Sequence, residues 1–355
     1  MTQPLFSSFT LGDLPLSNRV VMAPMTRSRA IGNLANDLVV QYYGLRADAG
    51  LIITEGISPS PNGLGYARIP GLFNAEQVAS WKPVTAAVHA RGGRIFAQLM
   101  HTGRVSHPAN MPAGARILAP SAIATPGEMW TDSQGQQPHP VPTAMTEADI
   151  AAAVAEYAAS ARLAIEAGFD GVELHGANGY LIDQFLNTAA NQRTDAWGGS
   201  VANRIRFAVA VARATIEAIG AHRTGLRISP YGAFNGTVAD PDMDAVYLAL
   251  VEEMNKLGLL YIHVVDHSSM GAPQVSPALK RAIRANFKGA YILSGGYDAA
   301  RANADLAANQ GDLVAFGRPF LANPDLVKKL RDGGELAVPD FNTFYTPGAK
   351  GYTEL

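Results

Sequence analysis

Eight short apolar β-like runs recur along the chain, at residues 19–25, 51–55, 94–99, 171–175, 225–229, 260–264, 290–294 and 313–316. Each is followed, directly or beyond a long loop, by an Ala-rich segment of helical periodicity. Parallel strands need a crossover between them, and a helix is the crossover that also covers the sheet face. Eight such units predict a single (β/α)8 TIM barrel; an open doubly wound sheet is the alternative, and closure fits eight repeats better. The residues before position 19 are expected to form a β-hairpin capping the barrel bottom. At 355 residues the chain falls within the roughly 200 to over 400 that one barrel with insertions occupies, so residues 1–355 are read as one domain.

Lys and Arg number 28 against 30 Asp and Glu, a net charge of −2 with no long run of either sign. Nothing in that balance attracts a phosphate backbone or an anionic membrane, so nucleic acid is not an expected partner. The N-terminal stretch lacks a basic start followed by a sustained apolar run, and nowhere do about 18 apolar residues follow one another. A cytoplasmic location without a membrane span is the expectation. The absence of Cys excludes disulfides, thiol nucleophiles, cysteine-ligated zinc and cysteine-bound iron–sulfur clusters. Redox chemistry, if present, must come from a borrowed cofactor.

Two loops, 101–146 after the third strand and 176–199 after the fourth, are too long to be simple connections. Both lie at the C-terminal ends of strands, where barrels carry their chemistry, and are expected to cap the mouth. The last two strands end in Ser294-Gly295-Gly296-Tyr297 and Phe316-Gly317-Arg318-Pro319. Tight βα turns need glycine in any case. Two adjacent ones with an Arg also make a phosphate cradle, because backbone N–H groups approach an anion closely and a guanidinium offers a bidentate fork.

The fourth strand ends His175-Gly-Ala-Asn178-Gly-Tyr180. Singly these read as a strand-end His, a turn Asn and a packed Tyr. Together they read as an oxyanion-type clamp beside a candidate proton donor. A helical turn after the strand would bring His175 and Asn178, three apart, to one side. Pro24, Met25 and Thr26 end the first strand, Gln98 sits on the third and Arg227 on the fifth. Polar groups in a barrel centre must be paired. A flat heteroaromatic ring across the mouth would pair them, and an internal polar network is the alternative. His101, His107, His175 and His263 have no partner at ligand spacing, so no metal is expected. Dinucleotide glycine turns and serine nucleophile elbows are also missing.

The segments NRVVMAPMTRSRA from residue 18, QLMHTGRVSH from 98, HGANGYLIDQFL from 175 and NQRTDAWGGS from 191, with FGRP from 316 and GYT from 351, resemble the Old Yellow Enzyme family. The likeness spans nearly the whole chain. It implies a barrel holding FMN noncovalently, reduced by NADPH or NADH and reoxidised by an activated alkene in a ping-pong cycle through one site. By that resemblance Thr26 would bond a flavin carbonyl, Gln98 would bind the pyrimidine edge and Arg227 would stabilise the anionic reduced ring. Pro24, Met25 and Gly56 would pack on the ring, while Gly295, Gly296, Gly317 and Arg318 would hold the phosphate. His175 and Asn178 would bind a carbonyl or nitro oxygen, Tyr180 would protonate the α-carbon, and Tyr66 and Tyr345 would line the substrate space. The substrates implied are α,β-unsaturated carbonyl or nitro compounds, with nitrate esters and nitroaromatics in addition.

Thr26 beside Met25 resembles the plant, yeast and enterobacterial type of ene-reductase. Met100 departs from the family, many of whose members carry Trp there; a flexible thioether is expected to widen or reshape the pocket. Because a barrel's outer helices can be solvated or paired, monomer and homodimer both stay open.

Overall fold

The computed structural model describes residues 3–355. A hairpin comes first, with β1 (Phe9–Leu11) and β2 (Leu14–Leu16) antiparallel. It turns through Gly12 at φ +59°, in the left-handed region that costs glycine little. A Cβ there would lie 2.8 Å from Leu260 Cδ1, so the turn sits directly under the barrel.

The barrel opens with β3 (Val20–Met22), α1 (Asp37–Gly44), β4 (Leu51–Ile57), α2 (Ala75–His89) and β5 (Ile95–Leu99). The excursion after β5 holds four short strands. β6 (Leu118–Ala119) pairs with β9 (Thr143–Ala144), and β7 (Glu128–Thr131) forms a hairpin with β8 (Gly135–Pro138). The chain then runs α3 (Glu147–Glu166), β10 (Gly171–Gly176), α4 (Leu181–Leu186), α5 (Val201–Ile219), β11 (Thr224–Ile228) and α6 (Met243–Lys256). It finishes with β12 (Tyr261–Val265), α7 (Pro277–Asn286), β13 (Ala290–Ser294), α8 (Ala299–Ala307), β14 (Leu313–Phe316), α9 (Pro319–Ala322) and α10 (Leu326–Asp332). The eight parallel strands close as β10-β11-β12-β13-β14-β3-β4-β5, which is the predicted (β/α)8 barrel.

Side chains alternate along each strand. Val20, Met22, Ile52, Ala97, Val172 and Leu174 pack outward against the helices. Val21, Ile53, Phe96, Tyr261, Ile292 and Leu313 point inward and join Leu11 and Leu16 of the hairpin to fill the barrel floor. The floor is therefore closed by apolar packing, and the open end is the C-terminal one. Helix starts are fixed locally: Thr146 and Asp149 form a reciprocal capping box on α3, and Asn74 and Ser200 cap α2 and α5.

The structure departs from sequence expectation in three places. The first strand stops at Met22 rather than residue 25, since the ladder bond from Ala23 N–H to the Phe316 carbonyl is the last before Pro24, which has no N–H to give. The second strand runs on to Ile57 because a bulge between Ile53 and Gly56 resets its register against β5. At that bulge the Gln98 N–H donates to Thr54 Oγ1 (3.0 Å). The long loop after the fourth strand carries the helix α4.

Candidate active site

A cavity of about 1030 Å³ opens at the C-terminal mouth, lined by the segments that follow β3 and β4, by residues on or just after β5, β10 and β11, and by the β7–β8 hairpin and the C-terminal segment. Pro24, Thr26, Tyr66, Gln98, Met100, His175, Asn178, Tyr180, Arg227 and Tyr345 all border it. Ten of the expected residues thus meet in one space, though they span more than three hundred positions of sequence.

The floor of this cavity is a layer of polar side chains set by strand register. Gln98 pairs with Glu173 across β5 and β10, and His175, Arg227 and His263 stand level on β10, β11 and β12. The buried Glu173 carboxylate collects the layer: it accepts from Gln98 Nε2 (2.9 Å), Tyr261 Oη (3.1 Å) and His263 Nδ1 (2.8 Å). Burial lowers the His263 pKa, so its ring is neutral and donates. The Gln98 amide oxygen is left as the free acceptor facing the cavity. Arg227 is buried, its guanidinium makes no hydrogen bond among the described residues, and its Nε is wholly enclosed without a partner. A buried cation that lacks an acceptor at a cavity floor calls for one from a ligand.

The clamp begins in this layer, at His175. Burial, with Arg227 beside it, holds the His175 imidazole well below its ordinary pKa, so it is neutral. Its Nδ1 is enclosed without a partner. His175 and Tyr180 meet edge to face at 4.9 Å. The Tyr180 and Tyr66 hydroxyls lie 3.0 Å apart. Burial raises the Tyr180 pKa, and the hydrogen bond shared with Tyr66 partly offsets the rise. With Tyr66 donating, Tyr180 keeps its own proton for the cavity. The expected helical turn between His175 and Asn178 is not what joins them. His175 lies within β10 and Asn178 follows in a turn at φ +62°, which Asn tolerates better than most residues. Both still border the cavity.

The walls are where sequence reading fell short. The β7–β8 hairpin contributes Glu128, Met129, Trp130 and Gln136, and the C-terminal segment contributes Phe341, Asn342, Tyr345, Thr346 and Pro347. Arg68 ties them together, pairing with Asp132 and donating to the carbonyls of Ser28 (2.9 Å) and Tyr345 (2.8 Å). Arg27 and Arg29, both buried, anchor the C-terminal segment. Arg27 donates to the carbonyls of Phe344 and Gly351, and Arg29 to those of Thr343, Phe344 and Lys350. The run Arg27-Ser28-Arg29 was visible, but its acceptors, more than 300 positions away, were not.

Gly56 and Met25 stand at the edge of this space without bordering it. A Cβ on Gly56 would lie 2.5 Å from both Sδ and Cε of Met100, so the glycine exists to seat that thioether. Met100 is buried over it in a cluster with Leu64 and Ile69. Met25 touches the other candidate turn, since a Cβ on Gly317 would sit 3.6 Å from its Sδ. Gly295, Gly296, Gly317 and Arg318 lie outside the cavity on the adjacent ends of β13 and β14. Gly295 (φ +125°) and Gly296 (φ +62°) need glycine, and a Cβ on Gly295 would strike the Asp266 carbonyl. Arg318 is exposed and has no ion-pair or hydrogen-bond partner among the described residues. Glycine turns beside an uncommitted guanidinium fit a phosphate, and the partnerless Arg227 and free Gln98 oxygen fit a flat, polar-edged ring. FMN combines both groups. No set of three or more His, Asp or Glu among the described residues could hold a metal.

Comparison with known proteins agrees with this chemistry. The profile of the NADH:flavin oxidoreductase / NADH oxidase family matches residues 4–336. A probable flavin mononucleotide-dependent alkene reductase of Leishmania infantum is 43% identical, with 100% of this chain and 96% of that protein covered. Morphinone reductase in complex with tetrahydroNAD superposes with a TM-score of 0.93 at 42% identity, over 99% of this chain and 96% of that one. The old yellow enzyme homologue from Zymomonas mobilis gives 0.94 at 38% identity, over 99% and 98%.

Proposed function

The chain belongs to the NADH:flavin oxidoreductase / NADH oxidase family, and from that premise we propose that its cavity reduces the activated C=C bond of α,β-unsaturated carbonyl and nitro compounds. The observation that carries this reading is the convergence of two N–H donors, His175 and Asn178, and one protonated phenol, Tyr180, on a single cavity above Arg227 and Gln98. FMN, when bound, would supply the hydride chemistry, with NADH or NADPH as its source of reducing equivalents.

The chain's own residues do the rest. His175 and Asn178 donate hydrogen bonds to the substrate's carbonyl or nitro oxygen, which draws electron density from the β-carbon and orients the alkene. The neutral His175 can donate without placing a fixed charge beside Arg227. Tyr180 delivers its proton to the α-carbon. Gln98 would offer its free amide oxygen to the pyrimidine edge of the ring, Thr26 a hydroxyl to a ring carbonyl, and Arg227 a positive charge that would stabilise the ring's anionic form. Pro24, Met25 and Gly56 pack around the ring. Gly295, Gly296, Gly317 and Arg318 would hold the phosphate. Tyr66, Met100 and Tyr345 shape the substrate space. Residues 1–355 act as one domain in the cytoplasm, on small molecules rather than nucleic acid, and nitrate esters and nitroaromatics are further substrates. No helix among the described residues is long and apolar enough to cross a membrane.

The test is an anaerobic absorbance titration of FMN-loaded protein. NADPH or NADH should bleach the flavin band and 2-cyclohexenone should restore it. Bleaching without restoration rejects the alkene assignment, and a protein that never takes up FMN rejects the reading altogether.

Met100 sets a second expectation. Because its side chain rests on Gly56, an indole at position 100 has no room to lie there and must project into the cavity. Met100→Trp should lower kcat/KM for bulky enones about tenfold relative to 2-cyclohexenone. An unchanged ratio across a size series of enones would remove Met100 as a determinant of substrate range.

A further inference from the structure

Asn178 is held on three sides. Its backbone N–H donates to Ser229 Oγ (2.8 Å), its backbone carbonyl accepts from Asn235 Nδ2 (2.7 Å), and its side-chain Oδ1 lies 2.7 Å from His267 Nε2. The one polar group left without a partner is the amide nitrogen, on a residue that borders the cavity. His267 comes from the turn after β12, 89 positions away. Asp266 caps that turn by accepting from Ser268 N–H (3.0 Å), and Phe234 packs edge to face on the His267 ring at 4.6 Å.

An Asn amide can present either end to a cavity, and only one is useful here: N–H donates to a carbonyl oxygen, whereas C=O repels it. A neighbour that donates to Oδ1 fixes the useful orientation, and one that only accepts would reverse it. We propose that His267 is a positioning residue for alkene reduction, its Nε2–H holding Oδ1 so that the Asn178 amide N–H faces the substrate oxygen. Burial pushes the His267 pKa down to about 4. The ring is therefore neutral near pH 7, but Nε2 can donate in either protonation state.

The inference rests on the ene-reductase reading, and its test separates donation from packing. His267→Gln places an amide N–H near the Nε2 position, while His267→Met fills similar volume with no donor. The probe is 4-hydroxybenzaldehyde, titrated into FMN-loaded protein and followed by the change in flavin absorbance, so that no turnover is needed. His267→Met should raise its Kd about five- to tenfold, the worth of one hydrogen bond, and His267→Gln should stay within about twofold of wild type. KM for 2-cyclohexenone should follow the same order with FMN content unchanged. Equal weakening by Gln and Met assigns the residue to packing and overturns the proposal, as does no change in either. Wild-type protein that binds FMN but neither the phenol nor the enone would instead overturn the functional reading beneath it.

Discussion

Replacing Tyr180 by Phe is expected to slow enone reduction by about 10²- to 10⁴-fold, the usual worth of a positioned proton donor. Bleaching of the flavin by NADH or NADPH should stay within about twofold. The substitution removes one oxygen from a ring that packs against His175 and Tyr66, so the clamp and the cavity stay in place. The split arises because only the alkene half of the cycle needs a proton at carbon. The sign of the pH dependence follows from burial, which raises the Tyr180 pKa. The proton-donating form then persists above the ordinary tyrosine value of about 10, and wild-type enone reduction should show no loss assignable to this phenol below that pH. Stopped-flow measurement of the two half-reactions checks both points. Equal slowing of both would remove Tyr180 from the proton-donor role.

Glu173→Leu should destabilise the protein by about 3–5 kcal/mol, the range for removing one partner of a buried ionic group. Three donors converge on this carboxylate, from Gln98, Tyr261 and His263. Burial lowers the pKa of the neighbouring Arg227, and the negative charge of Glu173 opposes that lowering. Leucine would strand all three donors and leave the cation uncompensated. Urea unfolding of the FMN-free protein reads this directly. Glu173→Gln, which keeps an acceptor oxygen, should lose less. A Leu variant within about 1 kcal/mol of wild type would mean that the layer relaxes or hydrates and that Glu173 does not hold it together.

Part of this arrangement is legible in the sequence itself. The apolar runs specify the strands and the Ala-rich segments that follow them the crossover helices, and inward and outward faces follow from a period of two along each strand. The glycine turns at 295–296 and 317, the 175–180 cluster and the polar groups at 98 and 227 all sit where strands end, and that much is local. Glu173 was equally open to inspection, two positions before His175 in a buried apolar strand and hence on the same inward face. A charge at such a position must be paired, so Glu173 by itself marks a buried polar layer.

What the sequence determined by itself is the repeating unit, the number of repeats and the residue types at the strand ends, because these depend on propensity and periodicity over a few residues. Only the tertiary structure decided who meets whom. Barrel closure pairs Val314 with Val20 and levels His175 with Arg227 and His263. The turn after β12 brings His267 to Asn178, and Arg27 and Arg29 draw the C-terminal segment across the mouth. These contacts join residues tens to hundreds of positions apart, and none is favoured by its own local sequence. They form because the closed sheet fixes its register, and that register settles which buried polar groups find partners and which, like Arg227 and His175, are left facing the cavity.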